Sequence, residues 1–159
     1  MDGSGSLRAR LRGALDLDLH WRDAEMRCES GLRPDGSGLR FSLGGPLRRD
    51  GRRIRIVLGI GDAMPGIDAQ ARPANVTIIF EGEQRVFATR GDDKCTVDRL
   101  HQQPMLTGPG TASAQPPQAV RRWRVSASGF CVAPATSIDR TARILLSRFD
   151  LVTELRIAP

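Results

Sequence analysis

The sequence predicts an all-β protein: an antiparallel β-sandwich of about eight strands, or a barrel-like relative. Three observations carry that expectation. Apolar residues recur at every second position in one segment after another, the pattern of a strand with one buried face. Turn dipeptides and Gly- or Pro-rich clusters separate these segments, within a total of 17 glycines and 10 prolines in 159 residues. Strand and helix patterns do not alternate, so a parallel α/β sheet is not indicated.

Taken in order, residues 1–14 read as a flexible lead-in of Gly, Ser and Arg, with an amphipathic helix from Leu7 to Leu15 as the alternative. A single domain is expected over residues 15–159. Leu15, Leu17, Leu19 and Trp21 alternate with Asp16, Asp18 and His20. After Asp23 the apolar set moves by one residue to Ala24, Met26 and Cys28, as a β-bulge would produce. "LRPDGSG" (Leu32–Gly38) reads as a turn, and Leu39, Phe41 and Leu43 as the next strand. "RRDGRR" (Arg48–Arg53) carries the turn dipeptide Asp50-Gly51 and leads into Ile54, Ile56, Leu58 and Ile60. Residues 61–75 read as a long irregular connection. Val76–Phe80 and Arg85–Thr89 flank a polar turn and form a hairpin. "RGDDK" is a further turn, and a short strand runs from Cys95 to Val97. Residues 102–119 are small, polar and Pro-rich and read as a mobile loop. Trp123, Val125, Ala127, Gly129 and Cys131 form the inner face of another strand. In "ARILLSRFDLVTELRI" the phase slips near Ser147, which predicts two strands or one bulged strand.

Composition narrows the function classes. Five Phe, two Trp and no Tyr argue against a large aromatic platform for sugars or a base-stacking surface. The formal charge is +6, carried almost wholly by arginine, Lys94 being the one lysine. Residues 61–120 hold five basic and seven acidic groups, so no continuous cationic stripe follows the chain. No stretch of about 18 apolar residues exists, so no transmembrane segment is expected. The start has no apolar leader core, which suits a cytoplasmic protein or a mature exported chain with an initiating Met.

Several motifs carry candidate chemistry. Asn75-Val76-Thr77 fits a glycosylation sequon and Arg90-Gly91-Asp92 an adhesion tripeptide; each is better explained as a strand start and a turn. "GIGDAMPG" (Gly59–Gly66) lacks the helix and the third glycine of a phosphate loop. His20, His101, Cys28, Cys95 and Cys131 show no metal-ligand spacing, so neither a metal nor a cofactor is expected. No G-x-S-x-G occurs. A hydrolase would need a pocket gathering His20 or His101 with two carboxylates. The clusters Arg48, Arg49, Arg52, Arg53 and Arg121, Arg122, Arg124 could meet a polyanion, nucleic acid or acidic glycan. Alternation assigns Trp123 to the core and Arg122 and Arg124 to an outer face. In an oxidising compartment Cys95 and Cys131, both on or beside strands, are the natural pair. Three connectivities are nonetheless open, and in a reducing compartment all three cysteines stay buried thiols.

The segments "PANVTIIFEGEQRVFATRG" with the following Cys95, "RVSASGFC" and "ARILLSRFDLVTELRI" resemble a group of small exported proteobacterial proteins of unknown function. Their pattern is an A-N-V-T strand, an acidic turn, an aromatic return strand, a Cys after a Gly-rich turn and a second Cys on a late strand. The resemblance covers Leu39 to Ile157 and rests on Asn75, Val76, Thr77, Cys95 and Cys131. It implies a Cys95–Cys131 disulfide and a periplasmic or envelope location. It supplies no activity. This chain departs from the pattern in lacking the leader and in having Thr96 where an aromatic follows the first Cys. The function expected is that of a non-enzymatic envelope protein binding a protein or surface partner, with polyanion binding as the alternative.

Overall fold

The computed structural model describes residues 5–105 and 121–157. Eleven strands are present among the described residues: β1 Ser6–Gly13, β2 Leu17–Arg22, β3 Arg27–Leu32, β4 Gly38–Gly44, β5 Arg53–Gly61, β6 Ala69–Glu81, β7 Arg85–Ala88, β8 Cys95–Pro104, β9 Arg121–Cys131, β10 Ala135–Ser137 and β11 Arg143–Ile157. The predicted all-β class and antiparallel pairing hold throughout. The count is corrected from about eight to eleven, and all eleven belong to one hydrogen-bonded sheet.

Two long strands organise that sheet. On one edge β11 pairs with β1; on the other it pairs with β10 and then with β9. On one edge β6 pairs with β5; on the other it pairs with β8 and then with β7. The β8–β9 and β7–β10 pairings therefore join two half sheets, β2-β1-β11-β9 and β8-β6-β5-β4-β3. Their inner faces meet. Leu7 and Ala9 of β1 and Leu146, Phe149 and Leu151 of β11 surround one small apolar void with Leu43 of β4 and Ile56 and Leu58 of β5. Burying each Leu, Ile or Phe of this kind stabilises the fold by about 1.5–3 kcal/mol.

The chain crosses between the two ends of the sheet at a 3-10 turn, Asp23–Glu25, which links β2 to β3. The phase change after Asp23 is thus a break between strands, where a bulge was expected. β3 then closes against the end of β11. Thr153 Oγ1 donates to Cys28 Sγ at 2.8 Å, and the Arg156 N–H donates to Ser30 Oγ at 3.1 Å. The expected bulge near Ser147 is present. Arg10 faces Arg148 while Leu11 faces Leu146, leaving Ser147 as the extra residue.

Other expectations are corrected. Residues 6–13 of the supposed flexible lead-in form β1, with Leu7, Ala9 and Leu11 buried between outward Arg8, Arg10 and Arg12. The strict period-two alternation outweighs the loop-like composition, and the helix alternative falls with it. The irregular connection shrinks to residues 62–68, because β6 starts at Ala69; Pro73 and its small neighbours hide that strand in the sequence. The short strand at Cys95 extends to Pro104, taking in the first residues of the loop placed at 102–119. Residues 106–119 of that loop lie outside the described residues.

Trp21 illustrates how the crossing is packed. Its ring is 5% exposed and rests on Gly45, just beyond β4, where a Cβ would stand 2.3 Å from the indole. Gly45→Val should expel the ring from its seat and cost about 1–3 kcal/mol. Chemical denaturation followed by tryptophan fluorescence checks this: an earlier midpoint and a red-shifted native spectrum are expected.

Candidate functional site

The outer face of β2, β1, β11, β9 and β8 follows directly from alternation. Inward Leu, Val, Phe and Trp residues leave Arg8, Arg10 and Arg12 outward on β1 and Arg22 on β2. Likewise Arg99 stands outward on β8, Arg122 and Arg124 on β9, and Arg148 and Arg156 on β11. Against these nine arginines, and Arg143 at the start of β11, the same strands present four carboxylates: Asp18, Asp98, Asp150 and Glu154.

Register sets two cross-strand rows on this face. One runs His20, Arg8, Asp150, Ser128, Arg99; the next runs Arg22, Ser6, Val152, Ser126, His101. The short side chains of the second row and of Ser128 leave the sheet low between longer neighbours. A depression of about 410 Å³ results, lined by Ser6, Arg8, Arg99, Ser126, Ser128, Asp150 and Val152. An adjoining depression of about 430 Å³ shares Arg8 and Asp150 and adds Arg10, Asp18, His20 and Arg148.

Most charges here are already committed. Arg12 approaches Asp18 at 2.9 Å, Arg122 is paired with Glu154, and Arg148 lies 3.9 Å from both Asp98 and Asp150. Arg8 and Arg99 are exposed and make no ion pair with a described residue. Arg22 and Arg143 are likewise exposed without a described ion pair, but only Arg8 and Arg99 line the depression. Neither was singled out from the sequence. The signal was present in "SLRARLRG", whose alternation marks Arg8 as outward; Arg99 could be added only once β8 was known to reach Pro104.

The arginines proposed from sequence are not brought together. Arg48, Arg49, Arg52 and Arg53 lie at the β4–β5 turn, where Arg53 faces Glu81 and Arg52 is paired with Glu83. Arg121, Arg122 and Arg124 begin β9, and Trp123 faces Pro104 at the opposite end of the sheet. Arg121 stacks on the Trp123 ring at 5.3 Å, and Trp123 is core at 8% exposure, as its alternation predicts.

Cys95 and Cys131 are joined by a disulfide. They oppose each other directly on β8 and β9, and Val132 N–H donates to Lys94 O, which makes theirs a non-hydrogen-bonded pair with side chains on one face. Cys28 is free, and burial pushes its thiol pKa up, partly offset by the Thr153 hydroxyl.

The two peptide motifs serve structure, and they serve each other. Asn75 Nδ2 donates to Asp92 Oδ1 at 2.7 Å, and Arg33 donates to Asp92 Oδ2 at 2.9 Å. Thus the sequon amide and the RGD carboxylate hold one another on the outer side of β5. Gly59 makes the room: a Cβ there would meet the Asn75 amide at 2.9 Å. These contacts, Asn75 first and Arg33 second, hold the Asp92 carboxyl below its ordinary range.

His101 and His20 lie in separate, open neighbourhoods. His101 Nδ1 lies 2.8 Å from Asp68 Oδ2, with both side chains about half exposed. Asp68 also accepts the Gln102 N–H, and the Gln102 side chain bonds Gly66 N–H, Met64 O and Ile67 O. The group pins the 62–68 loop. His20 shares its open depression with Asp18, which Arg12 pairs at 2.9 Å, and with Asp150, which Arg148 approaches only at 3.9 Å. Among the described residues, no three of His, Cys, Asp and Glu gather where they could hold a metal ion.

Asp92→Ala should cost about 1–3 kcal/mol at pH 7, since it strands both Arg33 and Asn75. The depressed carboxyl favours its charged form in the fold, so its contribution is complete above the unfolded value of about 4 and is lost as pH falls through the lower folded value. Urea unfolding of both proteins should therefore show a gap that is constant from pH 7 to about 5 and narrows below about 4.

Comparison with protein-family models, with curated proteins and with solved structures finds no match to this chain.

Proposed function

We propose that this is a non-enzymatic binding protein of an oxidising compartment, the periplasm or cell envelope, and that it meets an anionic surface partner with the outer face of β1, β2, β8, β9 and β11. The observation that carries the reading is the arginine excess on that face, with Arg8 and Arg99 free of carboxylate partners among the described residues, beside an open depression. Unpaired, exposed guanidinium groups attract anions and are well suited to carboxylate, sulfate and phosphate oxygens. The Cys95–Cys131 bridge supports the compartment, because disulfides persist where thiols are not kept reduced. So does the resemblance carried by Asn75, Val76, Thr77 and the two cysteines. The sandwich description also belongs to this reading, with the two half sheets as its layers. An enzymatic role is not favoured, because the histidine neighbourhoods are open to solvent.

Retention on a sulfated matrix such as heparin, followed against salt, tests the proposal. Binding should weaken steeply and log-linearly with salt, and the double variant Arg8→Ala, Arg99→Ala should reduce the slope by about 1–2. No retention at low salt, or a slope unchanged in the variant, would remove this face from the account.

A further inference from the structure

We infer that the depression between Arg8 and Arg99 is a subsite for an acidic saccharide, one carrying carboxylate or sulfate groups together with free hydroxyls. The inference rests on the anion-binding reading above and names the ligand class.

Three features of the depression argue for it. First, Arg8 and Arg99 stand on β1 and β8, three strand spacings apart across β11 and β9, about 14 Å. One small anion does not span that distance; an extended ligand with spaced charges does. Second, the floor between them is made of Ser6, Ser126 and Ser128, whose hydroxyls both donate and accept. Third, Asp150 lies in the same floor, opposite Arg8 on one side and Ser128 on the other. Its side chain is 54% exposed, and Arg148 approaches it only at 3.9 Å. A carboxylate is acceptor-only, so it repels a bare polyanion and rewards a ligand hydroxyl. Arginines at the walls with a carboxylate and hydroxyls between them ask for a chain bearing both negative groups and O–H donors.

Nucleic acid fits less well. Base stacking supplies much of single-strand binding and needs exposed planar side chains. Trp21 and Trp123 are buried at 5% and 8%. Phe130, the one Phe or Trp on the outer side of these five strands, lies outside the lining of the depression. Recognition here would run through ions and hydroxyls, which agrees with the low aromatic content.

The test compares four probes by titration calorimetry at low salt: a polyuronate, heparin, polyphosphate and single-stranded DNA. The protein is used as it is, with its disulfide intact. The polyuronate or heparin should bind at least tenfold more tightly than polyphosphate or DNA of similar charge. Asp150→Ala should weaken the saccharide at least threefold while strengthening polyphosphate, an opposite response that a general loss of fold could not produce. Arg99→Ala should weaken the saccharide at least tenfold, with the thermal midpoint of each variant within 2–3 °C of the parent. Equal binding of all four probes, or an Asp150→Ala variant that strengthens every probe alike, would overturn the saccharide subsite and leave the anion-binding face standing. Absence of binding to all four would overturn both.

Discussion

The pairing of β8 with β9 is the constraint on which the rest of this structure depends. Each half sheet presents an apolar inner face that cannot stay in water, and neither covers it alone. The β8–β9 ladder ties one half to the other at a fixed register, in which inward Val97 faces Gly129 and inward Leu100 faces Ala127. The disulfide lies at one end of this ladder, where Cys95 meets Cys131. By closing a loop with a sequence separation of 36, it removes freedom chiefly from the unfolded chain, worth about 4 kcal/mol in the chain-entropy model. The bulge at Asp98 lets the same two strands keep their inner faces together while the sheet turns.

The other end of the sheet order is closed by different means. β2 and β3 follow one another in sequence yet sit at opposite extremes of the order, and no ladder joins them. Side chains replace it: Trp21 on Gly45, Thr153 on Cys28, and Ser30 on the Arg156 backbone. The open edge of β2 carries Asp18, His20 and Arg22 outward, charged or polar groups of the sort that discourage a second sheet from pairing there. The outer face between these closures is left to arginines and serines, and the proposed function rests on this face.

Much of this was legible in the sequence wherever alternation ran against large residues. Leu39 to Leu43, Ile54 to Ile60, the Val76–Thr89 hairpin, Trp123 to Cys131 and the Ser147 phase slip all read correctly, because a branched or aromatic side chain at every second position has one way to be buried. Legibility failed where the inward residues are small or few. Ala9 lies between two leucines in an arginine-rich stretch that looked like a lead-in, and Ala69 to Ala74 looked like loop. The site was harder. A run such as "RRDGRR" shows arginines adjacent in sequence, but a sheet gathers residues across strands, at register positions that one strand cannot reveal. Arg8, Ser6, Ser126 and Arg99 meet only through β11. The same logic explains why the sequon and the RGD turn, read as separate motifs, turn out to be two parts of one hydrogen-bonded group.

A covalently stapled sheet underlies the proposed oxidising compartment and anionic partner, and the staple is where that proposal is most exposed to test. The direct measurement is a thiol titration of the denatured protein after expression in an oxidising compartment, with and without reductant, followed by peptide mapping. The account predicts one reactive thiol without reductant, three after reduction, and a cross-linked peptide containing Cys95 and Cys131. Three reactive thiols without reductant would contradict it, because the junction of the two half sheets would then rest on hydrogen bonds and packing alone and the argument for the envelope would lose its chemical support.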